Sequence, residues 1–199
     1  MSVASNNRSS DLPIDPIFLD RWSPRAFTDE TISVETLSTL FEAAHWAPSA
    51  FNSQPWRFLY ARRDDAHFQA FVNLLIPFNQ GWAGKAAALV FIASKRTFTP
   101  PGASEARPSY SHSLDAGAAW AYLALQATKL GWATHGMTGF DQAAAPAALG
   151  LSDDYRVEVA VAIGKQGAAS QLPEQLAARE IPSGRVAVES LVFNGRFAG

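Results

Sequence analysis

Apolar residues recur at helical spacing over residues 33–46, where Val34, Leu37, Leu40, Phe41 and Ala44 share one face and Ser33 stands in position to cap the first turn. The spacing predicts a helix there, ended by Ala47-Pro48. Residues 113–130 predict the longest helix, with Ser113 as its cap and Gly131 as its stop. That helix is small or apolar almost all round, so it is expected to be buried on several sides, in the core or at a subunit interface. Shorter helices are predicted at 14–20, 64–73 and 142–149. Strands are predicted at 56–61, at 86–94 as a continuous apolar run, and at 157–164, where Val157, Val159, Val161 and Ile163 alternate with other residues. Helices interspersed with well-separated strands favour a three-layer α+β or α/β domain.

The connecting segments are also informative. Residues 47–55 form a predicted loop of small and polar residues. Residues 95–111 contain Pro100, Pro101, Gly102 and Pro108, which predicts a long loop or flap of the kind that is often functional. Residues 1–11 are polar and read as a disordered tail. Residues 12–199 then read as a single domain, whose last stretch, 166–199, has weak periodicity and forms a C-terminal extension.

Composition narrows the function classes. Of 199 residues, 17% are charged and 48% hydrophobic, against about 25% charged in an average domain. The shortage of charge hints at a large apolar subunit interface. With a net charge of -2 there is no basic field for a nucleic-acid backbone. The longest purely apolar run, 86–93, falls far short of the roughly 20 residues a membrane span needs. There is no cysteine, which removes disulfides and thiolate chemistry and fits a reducing cytoplasm. The polar first ten residues show no secretion signal. His45, His67, His112 and His135 are scattered without metal-ligand spacing.

Two segments carry candidate chemistry. Arg21-Trp22-Ser23-Pro24-Arg25 puts two guanidiniums and a hydroxyl in one turn, and residues 21, 23 and 25 share a side if the chain is extended. Arginine is the side chain best suited to bidentate phosphate recognition. Taken alone, though, the pentapeptide favours a solvated surface turn. The loop Pro48-Ser49-Ala50-Phe51-Asn52-Ser53-Gln54-Pro55-Trp56 is more specific. Its small residues allow close approach to a flat ligand, and its amides both donate and accept.

The order Arg-x-Ser-x-Arg, capped helix, Pro-Ser-x-x-Asn-x-Gln-Pro-Trp-x-Phe resembles the FMN-dependent nitroreductase family. Gly136-Met137-Thr138-Gly139-Phe140-Asp141 and Arg179-Glu180-Ile181-Pro182 extend the resemblance in order. It implies a three-layer α+β fold with a mixed, mainly antiparallel sheet flanked by helices, in which Arg21 and Ser23 hold the phosphate end of FMN, Trp22 is a further cofactor-binding residue, and Arg179 closes on the phosphate. Arg25 would face the N1/O2 edge of the flavin. Pro48, Ser49, Ala50 and Asn52 would reach the flavin from the partner of a homodimer. Asn79 would lie near the pyrimidine edge, and Met137, Thr138 and Gly139 near N5. Two departures stand out: Trp82 where relatives carry a lysine, and Ala177-Ala178 where many carry a basic residue. The second leaves the phosphate grip short of charge.

The resemblance further implies NAD(P)H as donor and hydride passed through the flavin to nitroaromatics, quinones or similar electron-poor acceptors in a ping-pong cycle, with the cofactor supplying the chemistry. The same fold could run dehalogenation, enone reduction or flavin fragmentation, or bind flavin without catalysis. Phe78, Trp82 and Tyr110 are candidate walls of a substrate pocket.

Overall fold

Helix- and strand-forming segments assemble around one sheet in the computed structural model, which describes residues 3–197. In chain order the elements are β1 (Val3–Ser5), β2 (Arg8–Ser10), α1 (Ile17–Asp20), α2 (Val34–His45), β3 (Trp56–Arg62), α3 (Phe68–Asn73), α4 (Pro77–Ala83), β4 (Ala88–Lys95), β5 (Thr97–Phe98), β6 (Arg107–Pro108), α5 (His112–Lys129), β7 (Ala133–Met137), α6 (Ala145–Ala148), β8 (Tyr155–Gly164) and α7 (Glu174–Ala177). The main sheet has the order β3-β4-β8-β7, and all three of its pairings are antiparallel.

The central strand β4 explains the three layers. Leu89 and Phe91 point into one core, with Phe68, Val72, Trp82 and Phe140. Val90 and Ile92 point into the other, with Leu37, Leu40, Ala119 and Leu123. A strand covered on both faces has no polar side to show, hence its continuous apolar run. In β8 a bulge opposite Ile92/Ala93 pairs those residues with Val159 and Val157. The extra residue between them breaks the alternation, so Val157 joins the first core while Val161 and Ile163 face the second.

Helices α2 and α5 pack on the second core face. Ser33 caps α2 as the sequence predicts, its Oγ accepting from the Thr36 N–H at 3.1 Å. Ala116, Ala119 and Ala127 on the inner side of α5 are buried. Gly131 ends α5 at φ +71°, a conformation glycine adopts without steric cost. Ser113 does not cap α5; it lies inside the helix, and its hydroxyl donates to Glu158 Oε1 at 2.7 Å. Ser94 Oγ donates to the same oxygen at 2.6 Å and meets His112 Nδ1 at 2.8 Å, so this cluster binds the start of α5 to β4 and β8.

Several expectations shift. The segment read as a disordered tail pairs as a hairpin, β1 with β2. The helix expected at 64–73 starts at Phe68, and that expected at 142–149 shortens to Ala145–Ala148. Residues 77–83, where the sequence pattern predicts no element, form α4; Pro77 sits in its first turn, where a missing N–H costs nothing. The predicted flap carries a short ladder, Thr97↔Pro108 and Phe98↔Arg107. Phe98 stacks on Phe51 with centroids 5.4 Å apart. Among the described residues no helix is long and apolar enough to cross a membrane.

Candidate functional site

Three crossings of the chain position the turn after α1. Thr28 N–H donates to the Lys165 carbonyl at 2.9 Å and Gly167 N–H to the Ala26 carbonyl at 2.8 Å, pinning the turn to the exit of β8. The Glu180 carboxylate then accepts from the Arg25 and Ala26 N–H groups at 2.5 and 2.7 Å. These contacts hold residues 21–25 against the segment that carries Arg179.

A cleft of about 530 Å³ results. Arg21, Trp22, Ser23, Arg25 and Arg179 line it together, as the sequence pattern anticipates. Arg8 from β2, His135 from β7, and Ser183 and Arg185 from the C-terminal segment complete it. Among the described residues that line it, none is acidic. Arg21 Nη1 donates to Ser23 Oγ at 3.2 Å. Burial, then the charges of Arg185 and Arg8, push the Arg21 guanidinium below its ordinary value. Guanidiniums that crowd one another in a cleft with no acidic residue among its described lining residues fit an anionic ligand such as a phosphate monoester.

The inner wall is a stack. Arg25 lies 5.8 Å from the Trp82 ring centroid, and the His135 ring lies 4.6 Å from the same indole. Arg25 Nη1 and Glu180 Oε2 are 4.0 Å apart. His135 Nδ1 lies 3.0 Å from the Pro24 carbonyl. A carbonyl only accepts, so Nδ1 carries the proton. Burial pushes the imidazole below its ordinary 6.5, and outweighs the raising effect of that hydrogen bond. The folded state therefore holds fewer protons than the unfolded chain just below pH 6.5, and stability rises with pH in that window. The wild type is expected to lose stability as pH falls through its unfolded value toward the lowered folded one. Thermal midpoints between about pH 8 and about pH 5 check this: His135→Gln should flatten the acid limb, and an unchanged limb would show that His135 does not contribute.

The loop at the end of β7 is fixed differently. The bridge Leu75↔Phe140 and the Ile76 N–H to Gly139 carbonyl bond of 3.1 Å lay it against the start of α4. Buried Asn79 donates through Nδ2 to the same carbonyl at 2.9 Å. A Cβ on Gly139 would come within 2.6 Å of Asn79 Nδ2 and 2.9 Å of Ile76 Cδ1, so any larger residue here would have to push the ends of both side chains aside. Thr138 is exposed, whereas the Met137 side chain belongs to the core.

Pro48, Ser49 and Ala50 lie elsewhere. They line a separate cavity of about 670 Å³ with Leu114, Gly117 and Ala118 of α5, and share no lining residue with the arginine cleft. Asp115 ties the loop to α5, accepting from the Ala50 N–H at 3.2 Å. Phe51, Asn52 and Gln54 all adopt positive φ, a conformation that asparagine tolerates but that costs residues such as Phe51 and Gln54 on the order of 1–2 kcal/mol each. Asn52 is exposed. Of the three aromatics read as pocket walls, Phe78 and Tyr110 stand exposed at 54% and 104%, but Trp82 is 2% exposed. It is a core residue that backs Arg25, because α4 turns its indole inward.

Arg8, His135, Glu180 and Arg185 were not legible as site residues. Arg8 sits in a stretch that reads as tail, and Arg185 in one without periodicity. Glu180 had one signal, its place beside Arg179 in the C-terminal motif.

These features define a three-layer α+β domain with an arginine-lined cleft whose chemistry suits an anionic ligand. The Nitroreductase family model matches residues 19–76 and 69–165. A solved structure of an oxidoreductase containing FMN is 48% identical, covers 99% of each chain and superposes with a TM-score of 0.95. An uncharacterized 15.4 kDa protein of Mycolicibacterium smegmatis is 34% identical over 149 residues, 71% of this chain and 97% of that one. A variant of an FMN and NADPH-dependent nitroreductase from Sphigopyxis sp. shares the fold at 22% identity, with a TM-score of 0.69 over 91% of this chain and 98% of that one. The chain belongs to the nitroreductase family.

Proposed function

We propose that this protein is an FMN-dependent oxidoreductase that takes reducing equivalents from NAD(P)H and passes them to nitroaromatics, quinones or other electron-poor acceptors, working as a cytoplasmic homodimer. The observation that carries the reading is the cleft in which Arg21, Ser23, Arg25 and Arg179 converge with no acidic lining residue. Bound FMN would supply two-electron exchange between donor and acceptor.

The chain's own residues then divide the work. Arg21, Ser23 and Arg179 hold the phosphate by charge-assisted hydrogen bonds, with Trp22 beside them. Arg25, held by Glu180 and backed by Trp82, presents positive charge toward the cofactor ring, where it favours the more negative reduced form. Thr138 and Gly139 offer backbone at the end of β7, positioned by Asn79.

A second copy has a stated role in this reading. Pro48, Ser49, Ala50 and Asn52 complete the site of the partner, which accounts for their separation from the arginine cleft of their own chain. Leu114, Gly117, Ala121 and Tyr122 form an exposed, low-charge strip on α5 beside that loop, suited to burial between copies.

Anaerobic addition of NADH or NADPH to the purified yellow protein is expected to bleach the flavin absorbance, and a nitroarene to restore it. Cofactor that stays oxidised would overturn the reading in favour of a non-catalytic flavin binder. Reduction that a nitroarene or quinone does not reverse would move the reaction to another acceptor class. Arg21→Ala is expected to weaken FMN binding by roughly 1.5–3 kcal/mol; an equilibrium titration with unchanged affinity would remove Arg21 from the phosphate.

A further inference from the structure

The loop of residues 48–54 holds a shape that its own sequence does not favour. Phe51, Asn52 and Gln54 take positive φ, and residues in such conformations persist only where their surroundings fix them. Inside the loop the ties are local: Ser49 Oγ accepts from the Gln54 N–H, and the Ser49 carbonyl from the Asn52 N–H, each at 3.0 Å. From outside, among the described residues, Asp115 of α5 reaches it at the Ala50 N–H, Arg57 at the Gln54 carbonyl, and Phe98 stacks on Phe51. Resting on the FMN reading above and its shared sites, we propose that Asp115 is a positioning residue that works across the dimer: it fixes the loop of its own chain and so governs cofactor binding in the site of the other.

Of these three outside contacts, Asp115 is the buried one. It is 6% exposed, whereas Arg57 is exposed and Phe98 half-buried. Its Oδ2 accepts from the Ala50 N–H at 3.2 Å and from Ser111 Oγ at 3.1 Å. Among the described residues no cation pairs with it. A buried carboxylate without a cation is costly unless donors satisfy it. Two neutral donors and the first turn of α5, where the helix dipole favours negative charge, meet that need. The donor from the loop is a backbone N–H, so the bond sets the course of the chain rather than the direction of one side chain.

The place of Asp115 on α5 supports the same conclusion. It lines the cavity of about 670 Å³ between the loop residues Pro48, Ser49 and Ala50 and the α5 residues Leu114 and Gly117. Leu114 and Gly117 belong to the strip suited to burial between copies, so one turn of α5 carries both interface residues and the carboxylate that holds the loop. A copy seated on that strip meets a loop already in place. Asp115 lines no part of the arginine cleft of its own chain, and its effect on cofactor binding runs through the loop it holds.

The test is complementation between two defective full-length chains, read by FMN fluorescence titration of the apoprotein. Asp115→Ala is expected to weaken FMN binding roughly ten-fold, the scale of a hydrogen bond to a charged group, while Asp115→Asn keeps an accepting oxygen and most of the affinity. Arg21→Ala and Asp115→Ala chains, co-expressed with different tags and purified through both, give dimers with one chain of each kind. If Asp115 acts across the interface, both lesions fall in one site, and the other site binds FMN as the wild type does. If it acts within its chain, each site carries one lesion and neither recovers, which would overturn the proposal. So would Asp115→Ala dimers with wild-type affinity, an Asn variant as poor as the Ala variant, or tags that do not co-purify. Should Asp115→Ala fail to fold, Ala50→Pro takes its place in the mixed dimers, because it deletes only the donor. Ser49 before it is extended at φ −147° and ψ 154°, and Ala50 opens the turn Ala50–Asn52, both compatible with proline. Wild-type affinity in Ala50→Pro would likewise overturn the proposal. If the wild type does not bind FMN, or Arg21→Ala dimers bind it unchanged, the functional reading itself fails, a result distinct from failure of the Asp115 assignment.

Discussion

Glu180→Leu is expected to cost about 3 kcal/mol of folding stability, the lower end of the range for stranding one partner of a buried ion pair. The Glu180 side chain is 2% exposed, and its Oε1 takes two backbone N–H bonds from Arg25 and Ala26. Leucine leaves both donors unpaired in the interior and removes the counter-charge of Arg25. The lower end applies because the Arg25 side chain is 18% exposed and water recovers part of the loss. Glu180→Gln separates the two roles: its carbonyl oxygen can still accept from both N–H groups, so only the charge is lost. Urea midpoints should rank wild type above Gln, and Gln well above Leu. Equal losses in Gln and Leu would assign the whole effect to charge and remove the turn-clamping role.

Trp82→Ala carries the other large effect, about 3–5 kcal/mol. The indole is 2% exposed and packs on Phe27, on His135 and under the Arg25 guanidinium, with centroid distances of 6.3, 4.6 and 5.8 Å. Truncation opens a cavity behind the site and frees Arg25, so flavin affinity should fall with stability. Trp82→Phe should be far milder. Trp82 Nε1 is buried without an acceptor among the described residues, and phenylalanine removes that orphaned donor, worth roughly 1–3 kcal/mol, while keeping most of the ring packing. A loss under about 1 kcal/mol in Trp82→Ala, the scale of ordinary surface substitutions, would return Trp82 to the pocket-wall role that its sequence position suggested.

How much of this was readable along the chain depends on the range of the interactions involved. Helix α2 was legible because Leu37, Leu40 and Ala44 repeat at the helical period and Ser33 caps locally. Strand β4 was legible because two-sided burial leaves an unbroken apolar run. Arg21, Ser23 and Arg25 were legible as a cluster because the turn that gathers them is five residues long. Helix α4 was not, since its seven residues carry no clear apolar period and Gly81 weakens them, so that packing against α3 and the Gly139 loop decides their state. The β1–β2 hairpin escaped notice because its three-residue strands are polar and carry no alternation signal. The bulge in β8 was equally hidden, because an extra residue is defined only by the partner strand it faces.

Local chemistry thus determined the longer helices and the main-sheet strands, the three-layer class and the arginine turn, since those depend on neighbours within a few bonds or one helical repeat. Tertiary structure decided which side of an element each residue shows and which distant groups meet. It turned Trp82 from pocket to core, brought Glu180 under Arg25, and joined Arg8 to Ser183, 175 positions away, in the cleft that Arg21 and Arg185 also line. Such meetings arise from packing and from pairing buried polar groups across the fold, and a one-dimensional pattern carries no record of either.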